Sequence, residues 1–170
     1  ILGLLDAGVS VAVCSNAGYP GVSDPGFRIV SGAIEAGHDV IALPGASAVH
    51  VALVQSGLPT SSYVFKGFPP RKSGARRRFL ALERDLPHTL VLYESPFRIG
   101  ALLADAFAEL GNRRAAVCIE LTKMFEDVRR GSLAELAGAF ENTKVKGEIT
   151  VVIAGNHPKF LDAETAGDAG

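Results

Sequence analysis

Apolar runs alternate with amphipathic segments along most of this chain, in the order that is typical of strands and helices in an α/β fold. The runs are short and rich in Val, Ile and Leu, as expected for strands covered on both faces of a sheet. The segments between them repeat apolar residues every three or four positions, which predicts helices that cover the sheet. The runs read VAVC, VIAL, TLVLY, AAVCI and ITVVIA.

The first part of the chain, residues 1–62, has the order strand, loop, helix, strand, helix. Asp24 followed by Pro25 is a good start for the first complete helix, because Asp caps free backbone N–H groups and Pro fits the first turn. The predicted strands are Val9–Cys14 and Asp39–Leu43. Their alternation with helices predicts a parallel sheet.

The second part, residues 63–156, repeats this alternation, and Leu58–Ser62 is the expected boundary between two domains. Predicted strands cover 63–66, 88–94, 115–121 and 147–154, and a further extended segment covers 125–131. Ser132 and Glu135 form a predicted capping box for the last helix. The polar residues 157–170 are expected to be a flexible tail. The predicted fold class is therefore α/β.

The composition is that of a globular protein with a substantial core. Of the 170 residues, 48% are hydrophobic and 21% are charged, which excludes a disordered chain. No apolar run approaches the roughly 18 residues that a membrane-spanning helix needs, so we expect a soluble protein with no membrane partner. The chain begins with Ile1 rather than Met, which leads us to expect a piece of a longer protein.

Cysteine and histidine give no sign of a metal site. Cys14 and Cys118 lie within apolar runs and are expected to be buried, reduced thiols of a cytoplasmic protein. The four His residues are scattered without the spacing of metal ligands. We therefore expect neither a disulfide nor a metal.

The net charge of −1 conceals two regions of opposite sign. Residues 1–62 carry one base and four acids, whereas residues 63–160 carry 16 bases and 11 acids. Five of those bases fall between Arg71 and Arg78, at the start of a predicted helix, where they oppose the helix dipole. An RNA backbone would offset that cost, and an ordinary solvated surface is the alternative.

Two loops rich in small residues follow the predicted strands of the first part. Ser15–Gly26 is long for a strand–helix connection, and Leu43–Ala48 is expected to lie beside it. Loops at the carboxyl ends of parallel strands bind ligands in such sheets, and small residues let the backbone approach closely. Neither loop has the Gly-Lys-Ser/Thr or Gly-x-Gly-x-x-Gly pattern of nucleotide sites, which argues against ATP and NAD.

Charged residues also follow two strands of the second part. Glu94 with Arg98, and Glu120 with Lys123, stand after apolar strands on the side that binds ligands. A local ion pair would explain each set on its own. Together with the loops, these sets favour a cleft.

These motifs, in their order, resemble the small-subunit ribosomal RNA 2′-O-methyltransferases of the tetrapyrrole methylase superfamily, from about residue 3 to residue 156. The matching segments are SNAGYPGVSDPG, LPGASAV, GLPTSSYVFKGFPPRKSGARRR, TLVLYESPFR, CIELTKMFE and KGEITVVIAG. The resemblance implies methyl transfer from S-adenosylmethionine to the 2′-hydroxyl of a cytidine in 16S rRNA of the small ribosomal subunit. It also implies a cytoplasmic homodimer with two α/β domains and an interdomain cofactor cleft.

The resemblance assigns site residues by position. Asn16 and Tyr19 stand where the family has Asp and Thr, and Phe97 stands where it usually has His. Cofactor contacts are implied for Ala17, Gly18, Tyr19, Pro20, Val22, Ser47, Ala48, Glu94 and Thr122. RNA contacts are implied for Arg71, Lys72, Arg76, Arg77 and Arg78. The strand and Gly-rich loop that open the superfamily have no counterpart here, so we expect an incomplete first domain.

A ribose hydroxyl is a weak nucleophile, so methyl transfer to it benefits from a general base. Lys123 and Glu120 are the expected catalytic residues, and Glu94 is a further candidate base. A Lys acts as a base only when its pKa is lowered; otherwise Lys123 would hold phosphate or stabilise the developing oxyanion. Two alternatives stay open: a methylase of a tetrapyrrole or other small molecule, and an inactive fragment that binds RNA or cofactor.

Overall fold

The computed structural model describes residues 1–16 and 18–160. Its contacts divide the chain into two compact units, Ile1–Ser47 and Ala48–Gly170. Ala17 and the part of the predicted tail from residue 161 onward lie outside the described residues. Within the described residues, no helix is both long and apolar enough to cross a membrane.

The first unit contains the helices α1 (Leu2–Asp6) and α2 (Phe27–Glu35). His38 Nε2 lies 2.9 Å from Asp6 Oδ1, which ties the segment after α2 to the end of α1. Helix α2 begins later than the sequence predicts, because Gly26 rather than Asp24 precedes its first turn.

Neither strand predicted for the first unit forms in the described residues. The backbones of Val9–Cys14 and Asp39–Leu43 pair in no ladder, and side chains such as Ile41 and Leu43 are exposed. Cys14, which the sequence predicts to be buried, is exposed as well. An apolar run becomes a strand only where a neighbouring strand satisfies its backbone hydrogen bonds, and the pattern alone does not supply that neighbour.

The second unit is built on a mixed sheet of five strands within the described residues. Its strand order is β1-β2-β5-β3-β4, with β1 and β2 parallel and every other neighbouring pair antiparallel. The strands are β1 (Tyr63–Phe65), β2 (Thr89–Glu94), β3 (Arg114–Ile119), β4 (Asp127–Ser132) and β5 (Ile149–Ile153). The strands predicted for this part are confirmed, and the extended segment at 125–131 pairs beside β3 as expected.

Helices pack on both faces of this sheet because successive strand residues point to opposite sides. The helices are α3 (Ala48–Ser56), α4 (Ser73–Ala81), α5 (Ile99–Leu110) and α6 (Leu133–Phe140), followed by the 3-10 helix Pro158–Phe160. Leu90, Leu92 and Val117 lie in the core beneath α4, α5 and α6. The predicted capping box is confirmed, since the Ser132 hydroxyl accepts from the Glu135 N–H and the Glu135 carboxylate accepts from the Ser132 N–H.

The division between the units falls before α3, whereas the sequence predicts a domain boundary near residue 62. The difference comes from α3, whose buried Val49, Ala52 and Leu53 pack against the second face of the sheet. Cys118 belongs to that face, and burial raises the pKa of its thiol to about 11. By its packing, α3 is therefore part of the second unit.

Candidate functional site

The loops that follow three strands of the second unit leave the sheet at one edge. Glu94 at the end of β2 and Ile119 at the end of β3 both pair with Ile149, the first residue of β5. Since β1 runs parallel to β2, the loop after β1 leaves at the same edge. We name this region the site edge; it comprises residues 66–72, 95–98, 120–126 and 147–148.

At the site edge, Lys123 is held between two carboxylates. Its Nζ lies 2.9 Å from Glu120 Oε1 and 3.0 Å from Glu148 Oε2. The Glu148 N–H donates to Glu120 Oε1 at 2.8 Å, which fixes the carboxylate in place. The hydrogen bond to Glu120, and to a smaller extent the one to Glu148, raises the pKa of Lys123 above its usual range. The pKa of Glu120 is lowered mainly by the hydrogen bond from Lys123 and secondly by the one from the Glu148 N–H.

The turn that carries Lys123 has an unusual backbone. Glu120 and Thr122 have φ angles of 49° and 65°, in the left-handed region that residues with a side chain rarely adopt. Such a conformation costs about 1–3 kcal/mol per residue and is found where the surroundings compensate for it, often at ligand sites. Here Glu126 compensates: it accepts from the Thr122 N–H and, at 2.9 Å, from Gln55 Nε2. These hydrogen bonds lower the pKa of Glu126.

Gly147 allows the backbone before β5 to approach Glu120 closely. A Cβ at this position would lie 2.3 Å from the Cγ, Cδ and Oε1 atoms of Glu120, far inside contact distance. The φ angle of 92° also disfavours any residue with a side chain. The position of the Glu120 carboxylate therefore depends on a glycine at residue 147.

Glu94 is buried at the end of β2 with one oxygen paired and the other not. Its Oε1 accepts from the Ser95 N–H at 2.6 Å and lies 2.5 Å from the Arg98 guanidinium. Its Oε2 is also buried and has no hydrogen-bond partner among the described residues. A buried carboxylate oxygen without a donor is costly, so this atom is a candidate acceptor for a ligand donor or a water molecule.

The basic segment at the start of α4 separates into two kinds of residue. Arg71, Lys72, Arg77 and Arg78 are exposed. Arg76, by contrast, is buried: its Nη2 lies 2.6 Å from Asp105 Oδ2, and its Nη1 donates to the Arg71 carbonyl at 3.1 Å. Arg76 is therefore committed to joining α4 to α5 and presents no free charge to an RNA.

Arg77 is exposed but paired. Its Nε lies 2.6 Å from Glu109 Oε1, and Arg84 Nη2 lies 2.6 Å from the other oxygen of the same carboxylate. The hydrogen bond from Arg77 is the main reason that the pKa of Glu109 is lowered. Part of the positive charge of α4 is thus already balanced by α5.

The remaining cofactor candidates lie in the first unit or at the start of α3. Gly18, Tyr19, Pro20 and Val22 belong to the loop 15–26, in which the Ser15 hydroxyl donates to the Gly18 carbonyl at 3.3 Å. Gly18 has a φ angle of 73°, a left-handed conformation that glycine adopts without strain. Ser47 is the last residue of the first unit and Ala48 is the first of α3, while Ala17 lies outside the described residues.

Sequence reasoning missed Glu148 as a member of the site edge. The sequence predicts the last strand but not its direction, and only the antiparallel direction of β5 brings its first residues beside Glu120. The signal for Glu148 in the sequence is the charged segment Lys146-Gly147-Glu148, which directly precedes an apolar strand. Among the described residues, no three His, Cys, Asp or Glu side chains lie together as metal ligands would.

Comparison with solved structures defines the class of fold. The methyltransferase CobJ superposes with a TM-score of 0.67 at 18% identity, over 91% of this chain and 68% of that protein. The cobalt precorrin-4 methyltransferase CbiF gives a TM-score of 0.58 at 14% identity, over 81% and 61%. Uroporphyrin-III C-methyl transferase from Thermus thermophilus, solved with S-adenyl homocysteine, gives 0.51 at 20% identity, over 81% and 62%. The fold is thus the α/β fold of these methyltransferases.

A family model agrees with this class and identifies the chain further. The model of the Tetrapyrrole (Corrin/Porphyrin) Methylases matches residues 2–137. The chain therefore belongs to the tetrapyrrole methylase family, as the sequence motifs suggest.

Curated relatives narrow the similarity to one kind of protein. "Ribosomal RNA small subunit methyltransferase I" of Mycobacterium tuberculosis strain H37Rv is 52% identical over 162 residues, which is 93% of this chain and 56% of the relative. The protein of the same name from Streptococcus pyogenes serotype M1 is 43% identical over 155 residues, or 91% and 54%. This chain thus spans about half the length of the curated relatives that it matches.

Proposed function

We propose that the protein transfers a methyl group from S-adenosylmethionine to the 2′-hydroxyl of a cytidine in 16S rRNA, as part of a homodimer in the cytoplasm. The observation that carries the proposal is 43–52% identity, over more than nine-tenths of this chain, to proteins named ribosomal RNA small subunit methyltransferase I. The matched region includes every motif of the site edge. Solved methyltransferases whose names refer to precorrin or uroporphyrin are 14–22% identical, a level that supports the fold only.

In this proposal the cofactor supplies an electrophilic methyl group on a sulfonium. The residues that would hold it are Gly18, Tyr19, Pro20, Val22, Ser47, Ala48, Glu94 and Thr122, together with Ala17. Two observations suit such a ligand: a loop of small residues in the first unit, and the buried Glu94 Oε2 that has no donor among the described residues.

The geometry favours a charge-holding role for Lys123 over that of a base. An efficient general base has a pKa near the working pH, whereas ion pairing raises the pKa of Lys123 above the ordinary value of 10.5. Lys123 is therefore an ammonium at neutral pH, suited to hold a phosphate or to stabilise the oxyanion that develops on the ribose. Glu120 positions it, and the lowered pKa of Glu120 makes that carboxylate a weak base.

The proposed RNA surface consists of the exposed bases at the start of α4, namely Arg71, Lys72, Arg77 and Arg78. Arg76 is left out because its guanidinium is buried against Asp105. The loop after β1 brings Arg71 and Lys72 to the site edge, where Lys123 also lies. Cations placed in this way can contact the phosphates on either side of a target nucleotide.

The experiment is a methyl-transfer assay with the intact protein and S-adenosylmethionine carrying a labelled methyl group. Small ribosomal subunits that lack the modification and uroporphyrinogen serve as competing substrates. We expect label in the RNA and none in the porphyrin; the reverse result would overturn the proposal. Calorimetry of the 170-residue chain with S-adenosylmethionine then tests whether these residues bind the cofactor by themselves.

A further inference from the structure

Four large apolar side chains are exposed in the loops of the site edge, and Phe68, at 55%, is the least exposed of them. Phe97 is 93% exposed, Met124 is 89% exposed and Phe125 is 77% exposed. Phe97 follows β2, and Met124 and Phe125 follow β3, so the strand register brings both loops to the start of β5. Exposed apolar groups concentrated around a candidate site mark a surface that contacts a partner.

The charges around these side chains indicate what kind of partner it is. Lys123 directly precedes Met124 and lies between Glu120 and Glu148, and the loop after β1 adds the exposed bases Arg71 and Lys72. The buried centre of a protein–protein interface is depleted in Lys. Aromatic side chains set among cations are, in contrast, the composition of surfaces that bind single-stranded nucleic acid, where bases stack on the rings and phosphates meet the cations.

We propose that Phe97 and Phe125 form a stacking platform for unpaired bases of the RNA target, with Lys123 on the adjoining phosphate. The inference rests on the proposed function and adds residues that position the substrate. Proteins that recognise RNA by sequence act mostly on unpaired nucleotides, whose bases are drawn out of the stack and lie on aromatic side chains. The platform replaces the stacking that the extruded nucleotide and its neighbours lose.

The test measures binding of the intact protein to two labelled single-stranded probes. One probe is an oligocytidine, and the other is the same ribose–phosphate chain without bases. Loss of one stacked base weakens binding by roughly tenfold. We therefore expect Phe97→Ala and Phe125→Ala each to weaken oligocytidine binding about tenfold. Neither change should alter binding of the base-free probe. Phe97→Tyr and Phe125→Tyr keep an aromatic ring and should bind oligocytidine as the wild type does. Leu82→Ala, which removes an exposed apolar side chain beyond the end of α4, is the matched control and should change neither affinity.

Three results would overturn the platform: equal losses for both probes, no loss for either, or conversion of a dimer to a monomer by Phe97→Ala or Phe125→Ala without a base-dependent loss. The last result would make the surface an interface between protein chains. Methylation of small subunits by the wild-type protein is measured in parallel. If the wild type methylates RNA but the base-dependent loss is absent, the platform alone is wrong; if it methylates no RNA, the proposed function is wrong.

Discussion

Lys123 donates a hydrogen bond of 2.9 Å to Glu120, and this contact determines what the lysine can do in the proposed methyl transfer. A paired ammonium with a raised pKa is a poor base and a good holder of negative charge. We expect Lys123→Gln to lower kcat about 100-fold, the scale on which loss of one oxyanion donor acts, and Lys123→Arg to retain much of the activity. If Lys123 were the base, Lys123→Arg would be inactive, so kcat and KM of the two variants at pH 7 to 9 distinguish the roles.

The lowered carboxyl pKa values predict loss of stability in acid. Glu120, Glu126 and Glu135 all have a pKa below the ordinary value of 4.5 in the folded chain. Their contribution is therefore fully present above pH 4.5 and is lost as the pH falls through the folded values. The contribution of Lys123, whose pKa is raised above 10.5, is lost only at alkaline pH. Stability should therefore change little between pH 6 and 9. Thermal unfolding measured from pH 7 down to pH 3 checks this. In Glu135→Gln the unfolding temperature should fall less steeply with decreasing pH than in the wild type. An equally steep fall in both proteins would contradict the account.

Gly147→Ala should disturb the site although it replaces none of the charged residues. The added Cβ would occupy the space of the Glu120 carboxylate, and the φ angle of 92° adds backbone strain. We expect a cost of about 1–3 kcal/mol in the free energy of unfolding, together with a fall in kcat as Lys123 loses its position. The matched control is Gly138→Ala in α6, where a Cβ meets nothing within 4 Å and should stabilise the helix. Equal behaviour of the two variants would show that Gly147 has no special role.

Substitution of two arginines in α4 should affect different properties: stability for Arg76 and RNA affinity for Arg78. Arg76→Ala removes a buried guanidinium and leaves the half-buried Asp105 with only the Ser73 hydroxyl as a donor, which should destabilise the protein by about 1–3 kcal/mol. Arg78 is exposed, so Arg78→Ala should change stability by no more than about 0.5 kcal/mol. The same change should weaken RNA binding and reduce the salt dependence of the affinity by about one counterion. Denaturant unfolding and binding measured at several salt concentrations test the pair; a loss of stability in Arg78→Ala would argue against this division.

The sequence predicted β2, β3 and β5 because they are covered on both faces and are therefore apolar at most positions. It also placed Glu94 near Arg98 and Glu120 near Lys123, since partners three or four residues apart meet through local geometry alone. It did not distinguish Arg76 from Arg77 and Arg78, because Asp105, which pairs with Arg76, lies on another helix. For the same reason it assigned strands to Val9–Cys14 and Asp39–Leu43, where the pairing partner rather than the pattern decides the outcome.

The most direct test of the central claim is to map 2′-O-methylated nucleotides by mass spectrometry. Unmodified small subunits are treated with S-adenosylmethionine and either the intact protein or its Lys123→Gln variant. We predict one new 2′-O-methylcytidine in 16S rRNA with the wild-type protein and a strongly reduced yield with the variant. A methyl group on a base, methylation at no cytidine, or an undiminished yield with Lys123→Gln would contradict the account.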